Sequence, residues 1–317
     1  MTDMTPTRFL AATPWADWQM QEMAGDASGR RFARLTGPDG QSAILMQADP
    51  AVAGGHAAFL TCARHLTAHG LAAPEILKAE GPFALVGDLG PDTFAQWIAR
   101  HPEDETVLYS AAVDLLVALQ DIPPPAGLMA IDPATGAQML DPFFDFHAPE
   151  LGTEEKDTLR RALEAALSAH APVAQTFALR DFHAENLMWR PDRQGLDRVG
   201  LIDFQDAVMA PAVYDLVSLL RDARRDVSEA LYTAMRDRFA AATGADPAAT
   251  AAACAVVAVQ RNLRILGIFA RLAQRDGKQR YLAFIPRVER MLRADLAHPA
   301  LADLARITLP LLQKAQA

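Results

Sequence analysis

Leu179-Arg180-Asp181-Phe182-His183-Ala184-Glu185-Asn186, followed by Val199-Gly200-Leu201-Ile202-Asp203-Phe204, is the stretch whose reading decides the fold. Asp181 and Asn186 lie five positions apart in one loop, and Asp203 ends a nearby apolar run. Leu187-Met188-Trp189 reads as a short strand, Pro191 to Gly195 as a turn and Val199 to Phe204 as a second strand. Two short strands with a turn between them bring Asp203 back beside Asn186. One carboxylate, one carboxamide and a second carboxylate are the groups that metal-assisted phosphoryl transfer to a hydroxyl requires. Asp181 orients the hydroxyl and accepts its proton, while Asn186 and Asp203 hold Mg²⁺ on nucleotide phosphates. Mg²⁺ keeps waters and takes only one or two carboxylates, so a sparse site suffices. A lone Asp-x-x-x-x-Asn would be no more than loop capping; three groups agreeing in spacing favour the metal site.

Around this set, Arg180 has two available partners, the Asp181 carboxylate and a phosphate. His183 is read as shaping the loop by hydrogen bonding, since Asp181 fits the base position better. Asp215, in Ala212-Val213-Tyr214-Asp215-Leu216, opens an apolar helix. It serves either as a plain N-terminal acid, gaining roughly 0.3–1 kcal/mol from the helix dipole, or as an acceptor for the backbone of the catalytic loop.

Upstream, Arg31 to Leu35, Ser42 to Gln47 and Pro82 to Leu89 read as strands, with turns at Gly25 to Gly29 and Gly37 to Gly40. His56 to His69 reads as a helix stopped by Gly70. The turn Ala24 to Phe32 offers backbone amides and Ser28 to cover phosphates, with Arg30, Arg31 and Arg34 as nearby cations. Downstream, helical spacing dominates. Leu108 to Leu119 and Leu159 to Leu167 form apolar faces, and Asp121 to Gly152 is a connecting insert with short helical pieces. Asp246-Pro247 caps a long helix that runs to about Gln274. On it Arg261, Arg264, Arg271 and Arg275 fall within about 80° of one another. Such a stripe suits an anionic substrate met by Arg261 or Arg264, or a solvated face with partner acids. The expected architecture is α+β and bilobal: a small β-rich nucleotide-binding lobe at 1–87, and a larger, mostly helical catalytic and substrate-binding lobe at 88–317.

The 317 residues suffice for a substantial core, and a half-hydrophobic composition is that of a globular chain. A net charge of −9 argues against a general nucleic-acid binder. Cys62 and Cys254 stand apart in apolar helical surroundings and read as buried free thiols. No secretory signal opens the chain, and the strongly apolar run Ala251 to Val259 is too short to span a bilayer. A cytoplasmic protein with no membrane association and no obligate protein partner is expected.

The motif Leu-Arg-Asp-Phe-His-Ala-Glu-Asn, with Ile-Asp-Phe and Tyr-Asp-Leu, resembles the aminoglycoside phosphotransferase superfamily, the small-molecule relatives of protein kinases. Gly25 to Ser28 with Arg30-Arg31-Phe32, Leu85 to Gly90, Ile202 to Ala207, Tyr214 to Val227 and Gln260 to Leu272 are similar to the bacterial N-acetylmuramate/N-acetylglucosamine anomeric kinases. The likeness covers almost the whole chain. It implies a protein-kinase-like fold with ATP in the interlobe cleft and adenine hydrogen-bonded to a hinge around Val86, Asp88 and Leu89. It implies phosphorylation of a sugar C1 hydroxyl, in peptidoglycan recycling. The alternatives are a kinase for another small alcohol, such as an aminoglycoside or choline-like compound, and a nucleotide-binding pseudokinase. The chain departs from kinases in one respect: Ala43-Ile44-Leu45-Met46-Gln47 has no strand Lys, and the following helix has no Glu to pair with it.

Overall fold

The computed structural model describes residues 5–23, 30–49 and 53–314. The turn at 25–29, and with it Ser28, lies outside the described residues. Strands β1 (Gln19–Glu22), β2 (Arg31–Thr36), β3 (Ser42–Gln47), β4 (Ile76–Glu80) and β5 (Phe83–Gly87) form an antiparallel sheet in the order β1-β2-β3-β5-β4. Successive side chains leave a strand on opposite faces, and this sheet uses both. Ala33, Leu35, Ala43, Leu45, Phe83 and Leu85 form one face, packed by Phe9 and Leu10 of helix α1 (Pro6–Leu10) and by Trp15 and Trp18. Phe9 stacks on Phe83 at 5.4 Å between ring centroids. The alternate set includes Phe32, Arg34, Ile44, Met46 and Val86. The register places Arg34 opposite Ile44, Ile44 opposite Val86, and Phe32 opposite Met46.

Helix α2 (Ala53–Ala68) buries Phe59, Cys62, Ala63 and Leu66 at the expected spacing, and Gly70 follows at φ +77°. Leu187–Trp189 pairs with Val199–Leu201, in the register Leu187 to Leu201 and Trp189 to Val199. The second strand of this ribbon ends before the expected Phe204. Asp203 has φ +61°, which an extended strand cannot contain.

The chain packs as two units, 1–111 with 185–207 and 112–184 with 208–317. The expected lobes at 1–87 and 88–317 followed chain order; the packed units instead place the segment 185–207 with the N-terminal one. The first unit also carries helix α3 (Phe94–Arg100) and the start of α4 (Glu105–Leu119). The second contains α5 (Pro133–Gln138), α6 (Thr153–His170), α7 (Tyr214–Leu220), α8 (Glu229–Thr243), α9 (Pro247–Gln274), α10 (Ile285–Leu296) and α11 (Ala302–Lys314). A second ribbon, Thr176–Ala178 with Val208–Ala210, lies in this unit. Asp246 caps α9 by accepting from the Ala249 amide at 2.7 Å, with Pro247 in the first turn. α9 is long and apolar enough to cross a membrane, but 72% of its most apolar window is buried within the protein. It is a core helix. Cys62 and Cys254 are free and buried, and burial pushes the Cys254 thiol up to about 12.

Candidate functional site

The first unit encloses a cavity of about 270 Å³. Its walls come from the free face of the sheet, through Ile44, Met46 and Val86, and from the Leu187–Leu201 ribbon, through Met188 and Ile202. Arg30, Asn186 and Asp203 also line it, so polar groups join a mainly apolar slot. The ribbon register explains their meeting. Ile202 donates its amide to the Asn186 carbonyl at 3.2 Å, and the Asn186 carboxamide reaches an Asp203 carboxylate oxygen at 3.3 Å. The positive φ of Asp203 re-aims its side chain at that point.

Arg30, 7% exposed, completes this group: its guanidinium bonds Asp203 at 2.7 Å and Gln205 at 2.7 Å. Gln205 in turn donates to Asp203 at 3.0 Å. Arg31, one residue on, is exposed and belongs to the strand face opposite the cavity, so the structure does not bring it to the site. Arg34 faces the cavity but is tied to Asp88 at 2.7 Å. The Asp88 carboxylate is spent on Arg34 and on the Gly90 amide, at 3.0 Å. Val86 is paired with Ile44 on one side and Ile76 on the other, and Gly87 donates to the Glu75 carbonyl at 2.9 Å. Backbone free to meet a ligand edge therefore belongs to Asp88 and Leu89, which line the cavity.

Met46 and Phe59 line the cavity too, and Phe59 stacks on Phe204 at 5.3 Å with rings 6° from parallel. An aromatic contact thus ties α2 to the Asp203 loop. Magnesium suits the Asn186–Asp203 donor set, which is hard oxygen with a single carboxylate. Among the described residues, no three His, Cys, Asp or Glu side chains cluster as an alternative metal site.

In the second unit the loop before Asn186 is held under strain. Arg180 has φ +73°, a conformation that costs of order 1–3 kcal/mol for such a residue. Four hydrogen bonds fix it. Asp215 accepts from the Leu179 amide at 2.6 Å and the Arg180 amide at 2.9 Å. The Arg180 carbonyl accepts from Ser218 at 3.1 Å and from Arg261 at 3.2 Å. Arg261 also donates to Ser218 at 2.6 Å and lies 4.7 Å over the Tyr214 ring. Asp215 is therefore the backbone acceptor rather than a plain helix cap, and Arg261 braces the loop. Burial raises the Asp215 carboxyl to about 6 against these bonds. His183 is buried, and its pKa is held well below the ordinary histidine value, first by burial and then by Arg224 and Arg261. It is neutral at physiological pH. Its amide closes a tight turn onto the Asp181 carbonyl at 3.1 Å, and Asp181 itself is half-buried.

Gln205 and Ser218 are absent from the sequence expectation. Ser218 lies one helical turn after Asp215, a spacing that puts it on the same face; Gln205 carries no such periodic signal.

Residues 19–253 match the model of the phosphotransferase enzyme family. The chain is 37% identical to the N-acetylmuramate/N-acetylglucosamine kinase of Caulobacter vibrioides, with 93% of each protein covered. It is 33% identical to the kinase of that name from Pseudomonas aeruginosa, over 98% of this chain and 94% of that one. Its fold is similar to a choline/ethanolamine kinase family protein from Mesorhizobium loti, with a TM-score of 0.65, 16% identity and 96% and 98% coverage. Plasmodium vivax ethanolamine kinase also gives 0.65, at 11% identity with 93% and 87% coverage. The α+β, protein-kinase-like fold class follows from these likenesses.

Proposed function

The chain belongs to the phosphotransferase enzyme family, and from that premise we propose that it phosphorylates the anomeric C1 hydroxyl of N-acetylmuramate or N-acetylglucosamine, using ATP and Mg²⁺. The observation that carries the reading is the Asn186–Asp203 pair, 3.3 Å apart in a mainly apolar cavity. The full-length likeness to kinases of those two sugars supplies the acceptor. Asn186 and Asp203 hold Mg²⁺, which neutralises phosphate charge when bound. The apolar walls take the adenine, and the Asp88–Leu89 backbone meets its edge. Arg30 takes over the duty of the missing strand lysine. Asp181 orients the sugar hydroxyl and accepts its proton; an anomeric hydroxyl is more acidic than an ordinary alcohol, which eases that step. His183, buried and neutral, shapes the loop. The reaction belongs in the cytoplasm, where ATP is available.

A cationic acceptor fits less well, because Asp141 of the insert is tied to Arg160 at 2.6 Å. Phosphorus NMR of the reaction with ATP, Mg²⁺ and each sugar should show a sugar 1-phosphate. Phosphate at C6, or no turnover of either sugar, rejects the reading. Asp181→Asn should lower kcat by about 10²–10⁴-fold with ATP affinity retained; full turnover would remove Asp181 from the base position.

A further inference from the structure

Of the arginines on the α9 stripe, Arg261 and Arg264 lie one turn apart, yet their circumstances differ. Arg261 is committed to the Arg180 carbonyl, Ser218 and the Tyr214 ring. Arg264 is half-buried and has no hydrogen-bond or ion-pair partner among the described residues. The Arg180 side chain shares that condition. No nitrogen of either guanidinium is sealed from solvent, so both heads are open to a ligand while the Arg264 stem is packed. Burial, then the charges of Arg180 and Arg261, pull the Arg264 pKa down to about 10, with Tyr214 and Asp181 opposing. Arg264 stays charged at neutral pH, in surroundings already rich in positive charge. A cation so placed is a cost to the fold until an anion completes it.

We propose that Arg264, assisted by Arg180, receives the carboxylate of an acidic acceptor sugar and so sets the preference for a lactyl-bearing sugar over its neutral counterpart. The inference rests on the function proposed above. N-acetylmuramate is N-acetylglucosamine with a lactyl ether on O3, and its carboxylate matches the two-pronged guanidinium fork. Asp181, whose charge Arg264 feels, is the base for the same sugar.

The test uses the full chain with ATP and Mg²⁺. It compares kcat/KM for N-acetylmuramate, its lactyl methyl ester and N-acetylglucosamine in the wild type, Arg264→Gln and Arg264→Lys. In Arg264→Gln the ratio of N-acetylmuramate to N-acetylglucosamine should fall about 10- to 100-fold, carried mainly by KM. The ester should lose a similar factor in the wild type and lose little more in the variant. Arg264→Lys should fall between, because the charge remains and the fork does not. An equal loss on both sugars overturns the inference and leaves the proposed function standing. If Arg264→Gln does not fold, the ester decides: an ester as good as the acid overturns it. A wild type that turns over neither sugar rejects both this inference and the proposed function.

Discussion

Arg30 lines the cavity whose strand lacks the kinase lysine. It is a buried guanidinium bound to Asp203 and Gln205, in a cavity whose strand presents Ile44 and Met46 instead of lysine, and the proposed nucleotide site would bring phosphates to it. Arg30→Met should weaken ATP binding about tenfold or more, the worth of a charged hydrogen bond, and Arg30→Lys should recover part of it. Calorimetric titration at fixed Mg²⁺ measures this, and unchanged affinity would remove Arg30 from phosphate binding. Asp215 gives a prediction with a sign. Ionised, it accepts from two amides; protonated, it keeps only one good acceptor oxygen. Burial lifts its carboxyl to about 6; the Leu179 and Arg180 amides and Arg261 work against that, and Asp181 adds to it. As pH falls through about 6, the loop loses its hold, so kcat should decline there, and Asp215→Asn should be slow at every pH with that limb gone. Stability moves the other way. The folded pKa lies above the ordinary 3.8, so the group's contribution is present below that value and is lost as pH rises through about 6. A pH–rate profile without an acid limb near 6 in the wild type would refute the role. The meeting of Asn186 with Asp203, and Asp215 as an acceptor for the loop backbone, were legible because spacing and neighbours marked them. Arg31 lies on the strand face away from the cavity, which only strand parity reports, and Ser28 falls outside the described residues.

At the scale of elements, periodicity carried the amphipathic pieces. Ser42–Gln47, Leu187–Trp189 and Pro247–Gln274 stand where alternation, turn residues and the Asp246-Pro247 cap put them. The misses share a cause. Gln19–Glu22 is exposed at all four positions, an edge strand with no buried face to pattern. Thr176–Ala178 and Val208–Ala210 are three residues each, too short to show a period. Gly267 tests the packing of α9. A Cβ there would lie 2.1 Å from the Pro142 carbonyl carbon and 2.2 Å from the Phe143 nitrogen, both backbone. In an open helix Gly→Ala gains up to about 1 kcal/mol. Here Gly267→Ala should instead cost about 1–3 kcal/mol, as overpacking does. The urea midpoint reads the sign directly, and a stabilised variant would mean that the segment at 142–143 moves aside freely.

Across the whole molecule, one unit is assembled from distant sequence: residues 185–207 return to join 1–111. Local periodicity cannot report such a return, which is why the chain-order boundary after residue 87 and the packed units differ. The cavity takes its walls from both pieces, with Arg30 to Gly90 on one side and Asn186 to Asp203 on the other. A ligand that bridges them binds only the folded unit and must stabilise it by RT ln(1 + [L]/Kd), about 2.7 kcal/mol at a hundredfold excess over Kd. At about 2.1 cal/mol/K of unfolding entropy per residue, that is roughly 4 °C in Tm for a chain of this size. ADP with Mg²⁺, which cannot turn over, should raise the melting temperature by that amount. Asp203→Ala should lose the part of the shift that depends on Mg²⁺. Hydrogen exchange on the same complex should slow in β2, β3 and β5 and at 187–203. Protection confined to α6 and α8 to α11, or a shift indifferent to Mg²⁺, would place the nucleotide elsewhere and remove Asn186 and Asp203 from the metal site.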